Sequence, residues 1–81
     1  MDGMPPLEVR HLEKTKRFGF HLKRLREGKG LSQQALADIA NIGKTTVLRI
    51  ENGRQSPTLE MLFSICEALE VPIVELMDYE R

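Results

Sequence analysis

Cysteine occurs once in the 81 residues, at position 66, which removes two chemistries from consideration. A lone thiol closes no internal disulfide, and without a Cys-x-x-Cys pair a zinc site of the usual spacing has no ligands. Set among Leu62, Phe63, Ile65 and Leu69, Cys66 reads as a small buried core residue. Histidine is nearly as scarce. His11 and His21 have no cysteine nearby and no second histidine four residues on, so no metal is expected. Long apolar runs are missing as well. Nothing approaches the ~20 residues that a membrane span needs. Met1 to Leu7 is too short and too polar for the apolar region of a signal peptide. The expected compartment is the cytoplasm, with no membrane partner. No segment alternates apolar and polar residues for long enough to form a strand, and there is no internal repeat. No nucleophile–base pair or paired-carboxylate constellation is visible. Gly28-Lys29-Gly30 lacks the Gly-Lys-Ser/Thr ending of a phosphate-binding loop. Neither an enzyme nor a cofactor is expected.

What is present suits one small globular domain: 41% hydrophobic and 30% charged residues in a chain long enough for a single core. The formal net charge of zero conceals a gradient. Residues 15–54 hold nine Lys/Arg against Glu27, Asp38 and Glu51, a balance of +6. Residues 58–81 hold Arg81 against six acids, a balance of −5. A basic body with an acidic end suggests a polyanion on one face and water or a protein partner on the other.

The chain divides into an extension, residues 1–14, and a helical body, residues 15–79. Gly3 and Pro5-Pro6 resist regular structure, while Leu7, Val9 and Leu12 either lie on the body or start the first helix early. Phe18, Leu22 and Leu25 form one apolar stripe and predict a first helix from about Thr15 to Glu27, stopped by Gly28 and Gly30. Phe20, off the stripe, is placed to cover the extension. A short second helix, about Ser32 to Ile39, is capped by Ser32 and turns Leu36, Ile39 and Ala40 inward. After a tight Ala40-Asn41-Ile42-Gly43 connection, a third helix spans Lys44 to Asn52 and Gly53 ends it. A fourth, capped by Thr58, runs from Leu59 to Leu69 with Leu59, Leu62, Phe63, Cys66 and Leu69 inward. Pro72 opens a fifth, to about Asp78. Met61, Phe63, Ile73, Leu76 and Met77 serve either as ordinary core or as a dimer seam.

Two short helices joined by a tight turn meet at a steep angle. In the third helix Val47 and Ile50 anchor one side, while Lys44, Thr45, Leu48, Arg49 and Asn52 fall on the other. That outer face is cationic and rich in hydrogen-bonding groups, and such a helix fits the major groove of DNA. The stretches Phe18-Gly19, Leu22-Lys-Arg-Leu-Arg26, Gly30-Leu-Ser-Gln-Gln-Ala-Leu-Ala37, Val47-Leu-Arg-Ile-Glu-Asn-Gly53 and Ser56-Pro-Thr-Leu59 occur in order and at the right spacing. On these residues the chain resembles the Cro/phage-repressor, or XRE, family of helix-turn-helix proteins over about residues 16–77.

The resemblance implies an all-α, five-helix, lambda-repressor-like domain with its helix-turn-helix at helices two and three. It implies a transcriptional regulator, a repressor in the simplest case, that binds a palindromic operator in double-stranded DNA as a homodimer. Lys44, Thr45 and Arg49 match base-reading positions. Leu48 either packs on a thymine methyl or rests on a neighbouring side chain. Gln33 matches a phosphate-clamping glutamine, Thr46 and Asn52 match positions near the backbone, and Arg54 matches a basic loop position. Arg26 and Glu51 match an ion pair between helices one and three. The alternative is a protein-interaction or antitoxin-like module of the same fold, with helices four and five meeting a partner such as a toxin. An activator would instead need a patch that contacts RNA polymerase, for which the acidic C-terminal surface is the candidate. Asn41 stands where a turn glycine is usual, and Gly43 where a longer polar residue is common.

Overall fold

The computed structural model describes residues 11–80, with five helices: α1 (Leu12–Gly28), α2 (Gln33–Ala40), α3 (Lys44–Glu51), α4 (Leu59–Leu69) and α5 (Ile73–Leu76). There is no strand among the described residues. Most of the expected extension, with Gly3, Pro5, Pro6, Leu7 and Val9, lies outside them. α1 starts at Leu12, three residues ahead of the expected Thr15, and the Thr15 hydroxyl donates to the His11 carbonyl at 2.9 Å in its first turn. Phe20 is exposed and sits 6.0 Å from the Arg24 guanidinium.

α1 lies against α3 and α5, while α2 contacts both α3 and α4. The shared core contains Phe18, Leu22, Leu36, Val47, Ile50, Ile65, Leu69 and Leu76. Tyr79 meets Phe18 edge-on, ring centroids 6.1 Å apart, and closes the end of the bundle. His21 bonds the Glu75 carbonyl at 2.8 Å, which ties α1 to α5. Because a carbonyl only accepts, this ring nitrogen carries the proton.

Local chemistry places the boundaries. The Ser32 hydroxyl accepts from the Ala35 amide at 3.0 Å and caps α2, and Thr58 does the same for α4 through Met61. Ser32→Ala is expected to cost about 1 kcal/mol, readable as a lower midpoint in chemical denaturation. Asn41 ends α2 in the left-handed region at φ 57°, where a short polar side chain is better tolerated than most.

Several inward assignments need correction. Ile39 is 59% exposed because the buried stripe of α2 is Leu36, Ala37 and Ala40. At 3.6 residues per turn Ile39 lies roughly 100° from the centre of that stripe. In α4, Leu59 and Phe63 are 63% and 47% exposed, and Ile65 is fully buried instead. Glu60 and Glu67, seven residues apart, mark the wet side of α4, and the point opposite them is Ile65 and Leu69. Cys66 packs on the core but stays half-buried, and burial pushes its thiol up, away from the reactive thiolate. Of the residues considered for a dimer seam, Leu76 is core, Met61 is half-buried, and Phe63, Ile73 and Met77 are exposed. The fifth helix is shorter than expected, with Pro72 as its N-cap.

Candidate nucleic-acid interface

α3 is a helix of eight residues, about 12 Å long at 1.5 Å per residue. Val47, Ile50 and Glu51, at i, i+3 and i+4, are buried and set its inner side. Lys44, Thr45, Leu48 and Arg49 are all exposed on the outer side, followed by exposed Asn52 and Arg54. Thr46 is half-buried at the flank. Among the described residues, no ion pair engages Lys44, Arg49 or Arg54. Leu48, for which sequence left two settings open, is 42% exposed within this cationic face. Gly43 is the N-cap of α3 and supplies no side-chain bond, so the first turn of the helix presents free amides.

The inner side is held by one buried polar network. Arg26 of α1 donates through Nε to Glu51 Oε2 at 2.6 Å and through Nη2 to Oε1 at 3.1 Å. Its remaining fork, Nη1, donates to the Leu31 carbonyl at 2.7 Å, in the loop before α2. Gln33, first residue of α2, donates from Nε2 to Glu51 Oε1 at 3.0 Å. Four segments are therefore joined in one network around Arg26 and Glu51: α1, the α1–α2 loop, α2 and α3. The two charged side chains are 8% and 1% exposed, and no buried polar side-chain atom among the described residues lacks a partner. The hydrogen bonds from Arg26 to Glu51 raise the guanidinium's pKa above its ordinary value, against the opposing effect of burial. Gln33 keeps a second N–H and its carbonyl oxygen, so its place in the network orients the amide without exhausting it.

Two glycines shape this face: Gly19, to which the sequence assigns no physical role, and Gly53, read there only as the end of the third helix. Gly19 is buried where α1 meets the end of α3: a Cβ there would stand 2.3 Å from the Ile50 carbonyl oxygen and 2.6 Å from that of Glu51. Gly53 adopts φ +72° after α3, and a Cβ there would stand 2.6 Å from Lys16 Cγ. The absence of side chains at these two positions sets how closely α1 backs α3. A glycine at mid-helix, placed seven residues before Arg26, is the signal for the first of these.

The pattern that defines the helix-turn-helix family matches residues 22–76. The chain is 37% identical over 60 residues to the cryptic phage CTXphi transcriptional repressor RstR of Vibrio cholerae, covering 74% of this chain and 54% of that protein. It is 35% identical over 64 residues to the HTH-type transcriptional activator BcrR of Enterococcus faecalis, covering 79% of this chain and 31% of that one. It thus spans about half the length of the first relative and about a third of the second. Among solved structures, the restriction-modification controller protein C.AhdI of Aeromonas hydrophila shares the fold with a TM-score of 0.78 and 31% identity, over 79% of this chain and 97% of that one. No helix among the described residues is long and apolar enough to cross a membrane.

Proposed function

This chain belongs to the helix-turn-helix family, in its XRE type, and on that premise we propose that it regulates transcription by placing α3 in the major groove of double-stranded DNA. The observation that carries the reading is the two-sided character of α3. Lys44, Thr45, Leu48 and Arg49 face solvent, while Val47, Ile50 and Glu51 are locked into the domain. An eight-residue helix with a free cationic edge matches a groove about 12 Å wide. In this reading Lys44, Thr45 and Arg49 read base edges, with Leu48 beside them for a thymine methyl. Gln33, Thr46, Asn52 and Arg54 hold phosphates and set the register.

The domain acts as a homodimer on a roughly palindromic operator, its two α3 helices about 34–36 Å apart. Support comes from α5 and its C-cap, where Val74 is 76% exposed and Ile73 and Met77 also face water. Apolar side chains left uncovered on one short helix are suited to a self-complementary seam. Repression is the simplest output, since it needs only occupancy, and one relative is named a repressor.

Selection of bound duplexes from a random library tests this directly: a symmetric motif is expected. Enrichment of nothing would refute the DNA reading and favour a protein-interaction role. On the selected site Arg49→Ala is expected to lose 1–3 kcal/mol of discrimination, about 5–150-fold, at one base position of each half-site. Arg54→Ala is expected to weaken all duplexes alike. Titrations on matched and mismatched duplexes separate the two behaviours.

A further inference from the structure

Beside the end of α3 lies a shallow concavity of about 370 Å³, lined by Leu12 and Lys16 of α1 and by Asn52, Gly53 and Arg54. It contains two cations and no acid. Lys16 is exposed and, among the described residues, forms no ion pair. The next cation along α1, Arg17, instead stands 3.9 Å from Glu13. The stem of Lys16 is placed by Gly53, since a Cβ at position 53 would stand 2.6 Å from its Cγ and 2.9 Å from its Cα. Any larger residue at position 53 would displace the lysine from its present place. The concavity adjoins the face assigned to DNA, through Asn52 at the C-cap of α3.

We propose that Lys16 is a DNA-backbone contact, which carries the phosphate track from the loop after α3 onto the first helix. This rests on the DNA reading above and adds to it a residue outside the helix-turn-helix. The occupant is a phosphate of the same duplex, flanking the bases that α3 reads. A strongly hydrated ammonium on a flexible stem suits a phosphate and carries no base preference. Lys16 therefore adds affinity and salt sensitivity while leaving sequence choice unchanged.

The test uses the full chain and the duplex selected by the wild-type protein, with affinity measured from low to moderate salt. One lost phosphate contact makes the slope of log K against log salt shallower by about 0.9. Lys16→Gln is expected to show that change, with about a fivefold to tenfold loss of affinity at 0.1 M salt, equal on selected and scrambled duplexes. Lys16→Arg is expected to keep the wild-type slope. Lys29→Gln removes the same charge beside Ile39 and the end of α4 and serves as the control. Thermal melts of each variant establish that the fold is retained. A Lys16→Gln slope no shallower than that of Lys29→Gln overturns the proposal while leaving the DNA reading intact. A loss confined to the selected duplex also overturns it, because the residue would then be reading sequence. A wild-type protein that binds no duplex removes both.

Discussion

Arg26→Ala is expected to destabilise the domain by about 3–5 kcal/mol, the usual cost of removing one partner of a buried ion pair. The loss has three parts. Both hydrogen bonds to the Glu51 carboxylate disappear, and the Leu31 carbonyl loses its donor. The third part is the largest: the Glu51 side chain, 1% exposed, is left with the single hydrogen bond from Gln33 among the described side chains. Against a total stability of roughly 5–15 kcal/mol for a domain, that loss is at least about a fifth of the whole. At about 4–8 °C per kcal/mol for a domain of this size, the melting temperature is expected to fall by at least about 12 °C. DNA binding falls with it, because the unfolded fraction does not bind. A variant that melts like wild type yet fails to bind would mean that Arg26 touches DNA and that the network is not structural. Arg26→Met with Glu51→Leu provides the contrast. Exchanging a buried pair for apolar residues of similar volume is often neutral or stabilising, so most of the lost stability is expected to return. Binding is expected to recover less, because Gln33 then has no carboxylate to orient its amide.

That network shows how far the amino-acid pattern reaches. The family resemblance picks out Arg26 and Glu51 as an ion pair, but not the fork that also grips Leu31 and draws in Gln33, because those contacts depend on loop geometry that no periodicity encodes. Helix boundaries were legible wherever a cap residue marks them, as at Ser32, Asn41 and Thr58. The inward side of α3 was legible because its apolar residues are few. α4 was harder for the opposite reason. Leu59, Met61, Leu62, Phe63, Ile65, Cys66, Ala68 and Leu69 surround the helix, so several stripes can be drawn through it. A stripe drawn by the count of apolar residues turns the helix toward Leu59 and Phe63. The acids Glu60 and Glu67 would have turned it to Ile65, since a charge is far costlier to bury than an apolar group is to expose. Ile39 misled in the same way, as a large side chain in a helix whose buried side is filled mainly by small ones.

Gly19→Ala separates the local rules from the tertiary ones, because they predict opposite signs. Within a helix, alanine is favoured over glycine by about 1 kcal/mol, so α1 taken alone would be strengthened. In the folded domain the added methyl would stand 2.3 Å from the Ile50 carbonyl oxygen and 2.6 Å from that of Glu51. Both are backbone atoms of α3, and no rotamer change moves them. Relief requires α1 and α3 to separate by about 1 Å along a contact that also positions Arg26 against Glu51. The expected net cost is about 3 kcal/mol, at the upper end of the overpacking range, and it appears as a lower denaturation midpoint. The displacement also tilts the face carrying Lys44, Thr45 and Arg49, so affinity is expected to drop even at temperatures where the variant is fully folded. Gly28→Ala is the matched control. It lies at the end of the same helix with nothing within 4 Å of a built Cβ, so only the helix preference acts there. It is expected to leave stability unchanged or raise it by up to about 1 kcal/mol. Equal gains at positions 19 and 28 would mean that the spacing of α1 and α3 is slack. In that case the close approach of their backbones is not what aims the recognition helix.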